Sequence, residues 1–373
     1  MKRLGIILNI FVVMTLVACG QNVKNTAETP TSSSLTVKTV FSHDGILWGM
    51  DFLPNGALLV TDKSGKLLHH HNNTTTTITG MPEVYDRGQG GLLDVKVHPN
   101  YRENSWIYIT YASPEGSEKG GHTALMRAKI KDNALVNKEV LYKAGPNTTK
   151  GQHFGSRIVL DGNGYVYFSI GERGERDVNP QDITRDGGKI YRLYEDGRIP
   201  EDNPFVHTPN AKPAIYTYGN RNPQGLLMHP ETKELWEHEH GPKGGDEINI
   251  IKKGANYGWP LVTYGVNYSG TTITETTEKE GVEGPIHYWT PSIAPSGMAF
   301  VTSDKYPNWK GNLLVGSLSF QYLERVVLDG KKVVKQEKLL IDAGRVRNVI
   351  QGPDGYIYAA VEGTGIVQLI PGN

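Results

Sequence analysis

The sequence predicts an all-β chain, a six-bladed β-propeller. Three observations carry this. After residue 36 one theme recurs: an apolar run, a turn punctuated by Pro, Asn, Asp or Gly, then an alternating run rich in Val, Ile, Tyr and Leu. The 44 glycines and 21 prolines among 373 residues supply the turns such a fold needs. Neither a long amphipathic helix nor a βαβ alternation is found, which argues against a doubly wound sheet.

The units follow in order. MDFLPNGALLVTD from Met50 turns on Pro-Asn-Gly, and VKVHPNYRENSWIYITYA from Val95 turns after His-Pro-Asn. RIVLDGNGYVYFSIG from Arg157 turns on Asp-Gly-Asn-Gly, and GLLMHPETKELWEHEHG from Gly225 on Pro-Glu-Thr. GMAFVTSDKYPNWKGNLLVGS from Gly297 and VIQGPDGYIYAAVEG from Val349 complete the set. Each reads as a hairpin with period-two alternation. The turns lie roughly 45 to 75 residues apart, the spacing of blades with long connections. Six units imply six blades. In a propeller the loops at one end of the channel form a concave site, so function is expected between strands.

The 39 basic and 39 acidic side chains cancel. Balanced charge gives no electrostatic case for nucleic acid or for an anionic membrane surface. GQGGLLD at Gly88 lacks the third glycine of a dinucleotide fingerprint, and no phosphate loop occurs, so nicotinamide and ATP have no cradle.

The N-terminus reads as an address. Lys2 and Arg3 precede an apolar run, Leu4 to Val17, too short to span a bilayer. Leu16-Val17-Ala18-Cys19 resembles a bacterial lipoprotein cleavage box, which implies a signal peptide over 1–19 and a lipidated Cys19. Cys19 is the only cysteine, so no intrachain disulfide forms. Residues 20–36 are polar and read as a flexible tether to a folded body over 37–373. The expected location is the bacterial cell envelope, with membrane contact through the lipid only.

The stretch EHEHGPKGGDE, residues 237–247, packs charge around a backbone that must bend tightly. His238 and His240 share one face of a strand, but two ligands make a poor zinc site. Asp246, Glu247 and carbonyls freed by Gly and Pro suit calcium. Spacing alone favours a turn with solvated carboxylates. His69, His70 and His71 read as a polar loop tip rather than a metal site. Trp106, Trp259, Trp289 and Trp309 read mainly as blade core, with stacking on a sugar as the alternative.

Several ordered blocks make the reading more specific: GQGGLLDVKVHPNY, QHFGSRIVLDGNGYVYFSIGERG, QDITRDGGKIYRLYEDGRIPEDNPF, GNRNPQG, EHGPKGGDEINIIKKGANYGWP, TPSIAPSGMAF and GRVRNVIQGPDGYIY. Together, from about residue 40 to the C-terminus, they resemble the soluble quinoprotein sugar dehydrogenases, a family that includes aldose and sorbosone dehydrogenases. The resemblance implies a six-bladed propeller that uses pyrroloquinoline quinone (PQQ) and calcium to oxidise the anomeric carbon of an aldose to a lactone. It implies that electrons leave to a separate acceptor. His153 matches the general base, whose imidazole suits proton transfer near neutral pH. Arg221 and Asn222 match residues at the quinone oxygens, where a cation stabilises developing negative charge. Gly241 and Pro242 match carbonyl donors to a calcium beside the cofactor. Asp246, Glu247 and the backbone of Tyr257 match a second, structural calcium position. Arg345 and Arg347 match an Arg-x-Arg pair that meets the cofactor's carboxylates. Gln89 matches a glutamine near the substrate and joins the cofactor-contacting set, and Ser292 aligns with a cofactor-contacting threonine.

Two positions depart from the pattern. Ser319, in GSLSFQYLERV, stands where many members carry a lysine that holds a cofactor acid group. Gln152 stands before His153 where some carry Asp. A rival reading is a non-redox, calcium-stabilised propeller that binds a glycan or protein partner. A calcium-dependent lactonase is less consistent with the Gly-Pro donors.

Overall fold

The computed structural model describes residues 35–372. The expected signal segment, Cys19 and nearly all of the tether lie outside them. The described chain forms six antiparallel four-stranded sheets arranged as the blades of a propeller. Each quoted hairpin becomes the two innermost strands of one blade. The inner strands are Leu47–Phe52, Leu92–Val97, Ile158–Leu160, Pro223–Met228, Pro295–Phe300 and Val346–Gln351, and they stand side by side around the channel. Among the described residues no helix is long and apolar enough to cross a membrane.

The ring closes through the first strand. Leu35–Phe41 pairs antiparallel with Gly365–Pro371, from Leu35 opposite Pro371 to Phe41 opposite Ile366. The last blade therefore takes its outer strand from the N-terminal end and its other three from the C-terminal end. This strand begins two residues inside the segment expected to be tether.

The core is six wedges, one at each junction between blades. Between the first and second blades, for example, Leu59 and Leu67 pack with Leu92, Ile107, Ile109 and Met126. Between the fifth and sixth, Leu314 and Leu323 pack with Val349, Ile357 and Val367. Each such side chain contributes about 1.5–3 kcal/mol on burial, and truncating one to Ala costs about 2–5 kcal/mol.

Blades one, two, four, five and six each carry an extra residue in the inner strand: within Trp48–Gly49, within Leu93–Asp94, then Gln224, Gly297 and Arg347. A bulge bends its strand and re-aims the side chain. Arg157 collects these bulges at the axis. Its Nε donates to Gln224 O at 2.7 Å, one Nη to Asp94 Oδ1 at 3.3 Å, and the other to Arg347 O at 3.1 Å, while its guanidinium lies 4.0 Å from the Trp48 ring. One side chain thus ties blades one, two, four and six to blade three.

The histidine run is not a loop tip. His69–His71 end a strand, Lys66–His71, and Asn72 and Asn73 form the turn at φ +49° and +59°. Two consecutive residues at positive φ are what a tight hairpin demands and what Asn tolerates. The threonines then form the outer strand Thr74–Ile78. His70 turns inward, stacked at 4.7 Å on Phe41.

Candidate active site

Two long loops at one end of the channel bring His153 and Glu172 together. His153 adopts φ +56°, a strained conformation for a residue other than glycine. Its N–H donates to Gln89 Oε1 at 2.8 Å, which holds it there. Its Nδ1 bonds Glu172 Oε1. A carboxylate only accepts, so Nδ1 carries the proton and Nε2 keeps a free lone pair. Burial pushes the imidazole below its ordinary pKa; Glu172 opposes this, and the Arg221 cation adds to it. Gly171 permits the contact, because a Cβ there would lie 2.5 Å from His153 O and 2.6 Å from Asn222 Oδ1.

His153 lines a cavity of about 620 Å³ with Gln89, Glu172, Arg221, Pro242, Trp259 and Tyr268. A neighbouring cavity of about 480 Å³ shares Gln89 and Tyr268 and adds Lys63, Asn222, Arg345 and Arg347. Tyr268, 72% exposed, marks where the two meet.

Arg221 is aimed by carbonyls. Its Nη1 donates to His240 O at 2.8 Å and Gly241 O at 2.9 Å, and its guanidinium lies 5.3 Å from the Trp259 ring. Glu239 accepts from the main-chain N–H groups of Arg221 and Asn222. Asn222 Oδ1 accepts from Gly155 N at 3.1 Å, but its buried Nδ2 has no protein partner.

The Gly-Pro loop is organised by Asp246. One carboxylate oxygen accepts from Gly241 N at 2.7 Å and Ser292 Oγ at 2.9 Å; the other accepts from Ala294 N at 3.0 Å. Burial lifts this carboxyl to about 6. A Cβ on Gly241 would lie 2.1 Å from Gly244 O, and one on Gly265 2.2 Å from the same oxygen. Glycine at 241 and at 265 is what lets both backbones touch the Gly244 carbonyl.

Arg345 and Arg347 converge on Glu362. Arg345 Nε lies 3.1 Å from Oε2, and Arg347 Nε donates to Oε1 at 3.0 Å. Two cations share one anion beside the 480 Å³ cavity. Lys63 reaches it from the first blade, where its ammonium pairs with Asp86.

Below this layer lie three buried carboxylates. Glu239 stands opposite Glu247 across two strands, and Glu237 opposite Asn249. Burial first, then crowding by one another, lifts Glu247 to about 8, and burial lifts Glu239 to about 7. Glu237 Oε1 and Asn249 Oδ1 are buried without a donor. Glu247 and Tyr257 also line a separate cavity of about 530 Å³ with Glu278, Glu280 and Glu283. Among the described residues no three Asp, Glu, His or Cys side chains converge as a ready-made metal shell. Any hard cation here must draw on carbonyl and amide oxygens as well.

Of the residues expected from sequence, Gln89, His153, Arg221, Asn222, Pro242, Arg345 and Arg347 line the two joined cavities. Gly241 lies directly beneath, its carbonyl on Arg221. Ser292 spends its hydroxyl on Asp246 and lies under the site rather than on its wall. Ser319 is exposed, with its N–H on Ile293 O at 3.1 Å, and only its neighbour Leu318 lines the smaller cavity. Trp259 is the one singled-out tryptophan on the wall; Trp289 and Trp309 are core. Sequence reasoning missed Glu172, Glu362, Lys63 and Tyr268. The two glutamates had a signal, since each follows a blade strand at the site end. Tyr268 sits in a long loop with none.

Comparison with known proteins agrees with this geometry. The family model of Glucose / Sorbosone dehydrogenase matches residues 44–368. Aldose sugar dehydrogenase YliI of Escherichia coli is 41% identical over 323 residues, 84% of this chain and 86% of that protein. The crystal structure of the soluble aldose sugar dehydrogenase from Escherichia coli in the apo-form superposes with TM-score 0.87 at 37% identity, covering 91% of this chain and all of that one. The PQQ-bound aldose sugar dehydrogenase from Streptomyces coelicolor gives TM-score 0.73 at 26% identity over 91% of this chain and 98% of that one. The chain belongs to the glucose/sorbosone dehydrogenase family.

Proposed function

We propose that this dehydrogenase oxidises the anomeric carbon of an aldose to a lactone, with PQQ and calcium as its cofactors. The observation that carries the reading is the His153–Glu172 pair, which presents a free imidazole Nε2 beside Arg221 on the wall of an open cavity.

The residues fit both groups. A planar tricarboxylate calls for cations and N–H donors. The smaller cavity offers Arg345 and Arg347 against the single anion Glu362, and the unpartnered Nδ2 of Asn222. Lys63 lines the same cavity, and because its ammonium is already paired with Asp86 it offsets the charge that Ser319 lacks only in part. For calcium, Pro242 lines the larger cavity, and the Gly241 carbonyl just beneath it would have to turn from Arg221 Nη1 to the ion. Glu247, with the donor-free Glu237 Oε1 and Asn249 Oδ1 nearby, offers the hard oxygens of a second position. Asp246 stiffens the first loop from within. When bound, the quinone supplies the hydride acceptor and calcium the Lewis acid that polarises it.

The chain's own residues do the rest. His153 Nε2 takes the proton of the anomeric hydroxyl, and Glu172 fixes the tautomer and stabilises the imidazolium that forms. Gln89 holds the His153 backbone in its strained form. Arg221, fixed by two carbonyls, places positive charge where negative charge develops. Tyr268 and Trp259 give the cleft aromatic walls. Electrons then pass to a separate acceptor. The resemblance of Leu16-Val17-Ala18-Cys19 to a lipoprotein cleavage box supports a lipid anchor in the bacterial cell envelope.

The test is reconstitution. The protein, incubated with PQQ and calcium, should reduce an artificial electron acceptor when given aldoses. No quinone binding at micromolar concentration would instead support a non-redox propeller.

A further inference from the structure

A third cavity, about 470 Å³, opens beside the cleft that holds His153. The same two loops, residues 144–157 and 171–188, build most of both. Glu175 lines both cavities, so the segment 173–175 is their common wall. Lys150 pins that wall, with its ammonium 2.7 Å from Glu175 Oε1 and 2.8 Å from Gly174 O.

Charge does not balance in this cavity. Its buried carboxylate, Asp186, is already saturated by Tyr142 Oη at 2.6 Å, Tyr191 Oη at 3.1 Å, Gly145 N at 3.0 Å and Lys212 Nζ at 3.2 Å. Glu175 is set against Lys150. Arg173 is buried and donates only to main-chain carbonyls, including Lys150 O at 2.9 Å; its Nε has no acceptor. Arg185, exposed at the rim, donates to Asn179 Oδ1 at 3.0 Å and meets no carboxylate among the described residues. Arg173, Arg185 and Lys212 therefore outnumber Asp186 on the wall, with Glu172 near Arg173 and Asp182 near Arg185 offsetting them in part.

His122 adds an independent sign. It is 2% exposed and lines the cavity. Its Nδ1 accepts from Thr123 N at 2.9 Å, so the proton sits on Nε2, for which the described residues supply no acceptor. Burial, with the Arg173, Lys143 and Lys212 cations, holds this imidazole well below its usual pKa, so it is a neutral donor. A His122 N–H that faces the cavity, beside the orphaned Nε of Arg173 and the Thr148 hydroxyl, suits an anion, while the Thr184 hydroxyl is spent on Asp182 Oδ1 at 2.6 Å. A cavity of this size exceeds the needs of one small oxyanion, and it adjoins the cleft.

We propose that this cavity takes the anionic substituent, a phosphate, sulfate or carboxylate, of a sugar whose reducing end lies at His153. The inference rests on the dehydrogenase reading for its substrate half only. The anion half stands on the cavity itself.

The test uses the full protein in two arms, comparing wild type with the double variant Arg185→Gln/Lys212→Gln and, separately, Thr184→Glu, which places a negative charge at the exposed rim. The first arm titrates the protein with inorganic phosphate by calorimetry. The second compares kcat/KM for glucose 6-phosphate and for glucose after loading with PQQ and calcium. We expect phosphate binding in wild type, weakened roughly ten- to a hundredfold in both variants. The ratio of kcat/KM for glucose 6-phosphate over glucose should fall by the same factor, with glucose itself unchanged. Phosphate binding that is absent in wild type, or survives both variants, overturns the anion site. Binding lost with the ratio unchanged overturns the substrate role and leaves a site for free anions. If wild type oxidises neither sugar, the dehydrogenase reading has failed, and the phosphate arm alone decides the cavity.

Discussion

Arg345 and Arg347 share a single carboxylate, that of Glu362. The two lie two residues apart around a bulge, so both guanidiniums reach the same anion and one positive charge is left over for the cavity. Arg347 is the more buried of the two, and the half-exposed Arg345 holds the surplus charge at the cavity.

From this we predict that Arg347→Ala weakens PQQ binding roughly ten- to a hundredfold, the loss of one charge-assisted contact. Lys63→Met should weaken it by a smaller factor, because the ammonium already has Asp86. Equilibrium titration of the apo-protein with the quinone checks both.

Glu172 sets the tautomer of His153. Glu172→Gln removes the charge that stabilises the imidazolium and lets the amide offer a donor instead of an acceptor. We expect kcat to fall by roughly 10²–10⁴, the usual contribution of a positioned general base, with the quinone Kd unchanged. Steady-state kinetics beside a binding titration separates the two effects.

Burial lowers the His153 pKa from 6.5. The base works in its neutral form, and a lowered pKa keeps it neutral into more acidic solution. The kcat profile should therefore rise with pH through an apparent pKa below 6.5 and stay flat above it. In Glu172→Gln the carboxylate's opposing influence is lost, so that limb should move further to acid.

Crowded Glu237, Glu239 and Glu247 form no ion pair among the described residues, with the Arg221 cation acting on Glu239, and two buried oxygens lack donors. Removing calcium with a chelator should lower Tm, and returning it should restore Tm. Glu247→Gln relieves the crowding and should shrink that calcium-dependent shift. Thermal melts with and without chelator measure it.

The sheet order was legible because six hairpins announce themselves by Pro, Asn and Gly between alternating runs. The bulges at Trp48–Gly49, Leu93–Asp94, Gln224, Gly297 and Arg347 were not, since an extra residue changes register without changing composition. Those bulges decide which side chains reach the axis, so Arg157's clasp of several blades could not be read in advance. At the site, the spacing of Arg345 and Arg347 put both on one face, and the family resemblance gave the pair its role. Glu362 carried only the weak signal of directly following a blade strand, because its pairing with Arg345 and Arg347 is made across two strands. Ser292 aligned with a cofactor contact, yet here its hydroxyl serves Asp246, a role fixed by tertiary packing.

The central claim is that His153 is the base of a quinone-dependent sugar oxidation. Its most direct test is a single-turnover experiment on protein loaded with PQQ and calcium, following the bound quinone's absorbance after glucose is added. We predict that wild type and His153→Ala bind the quinone equally, and that sugar reduces it rapidly only in wild type. Equal rates of reduction in the two proteins, or a wild type that holds no quinone, would contradict the account.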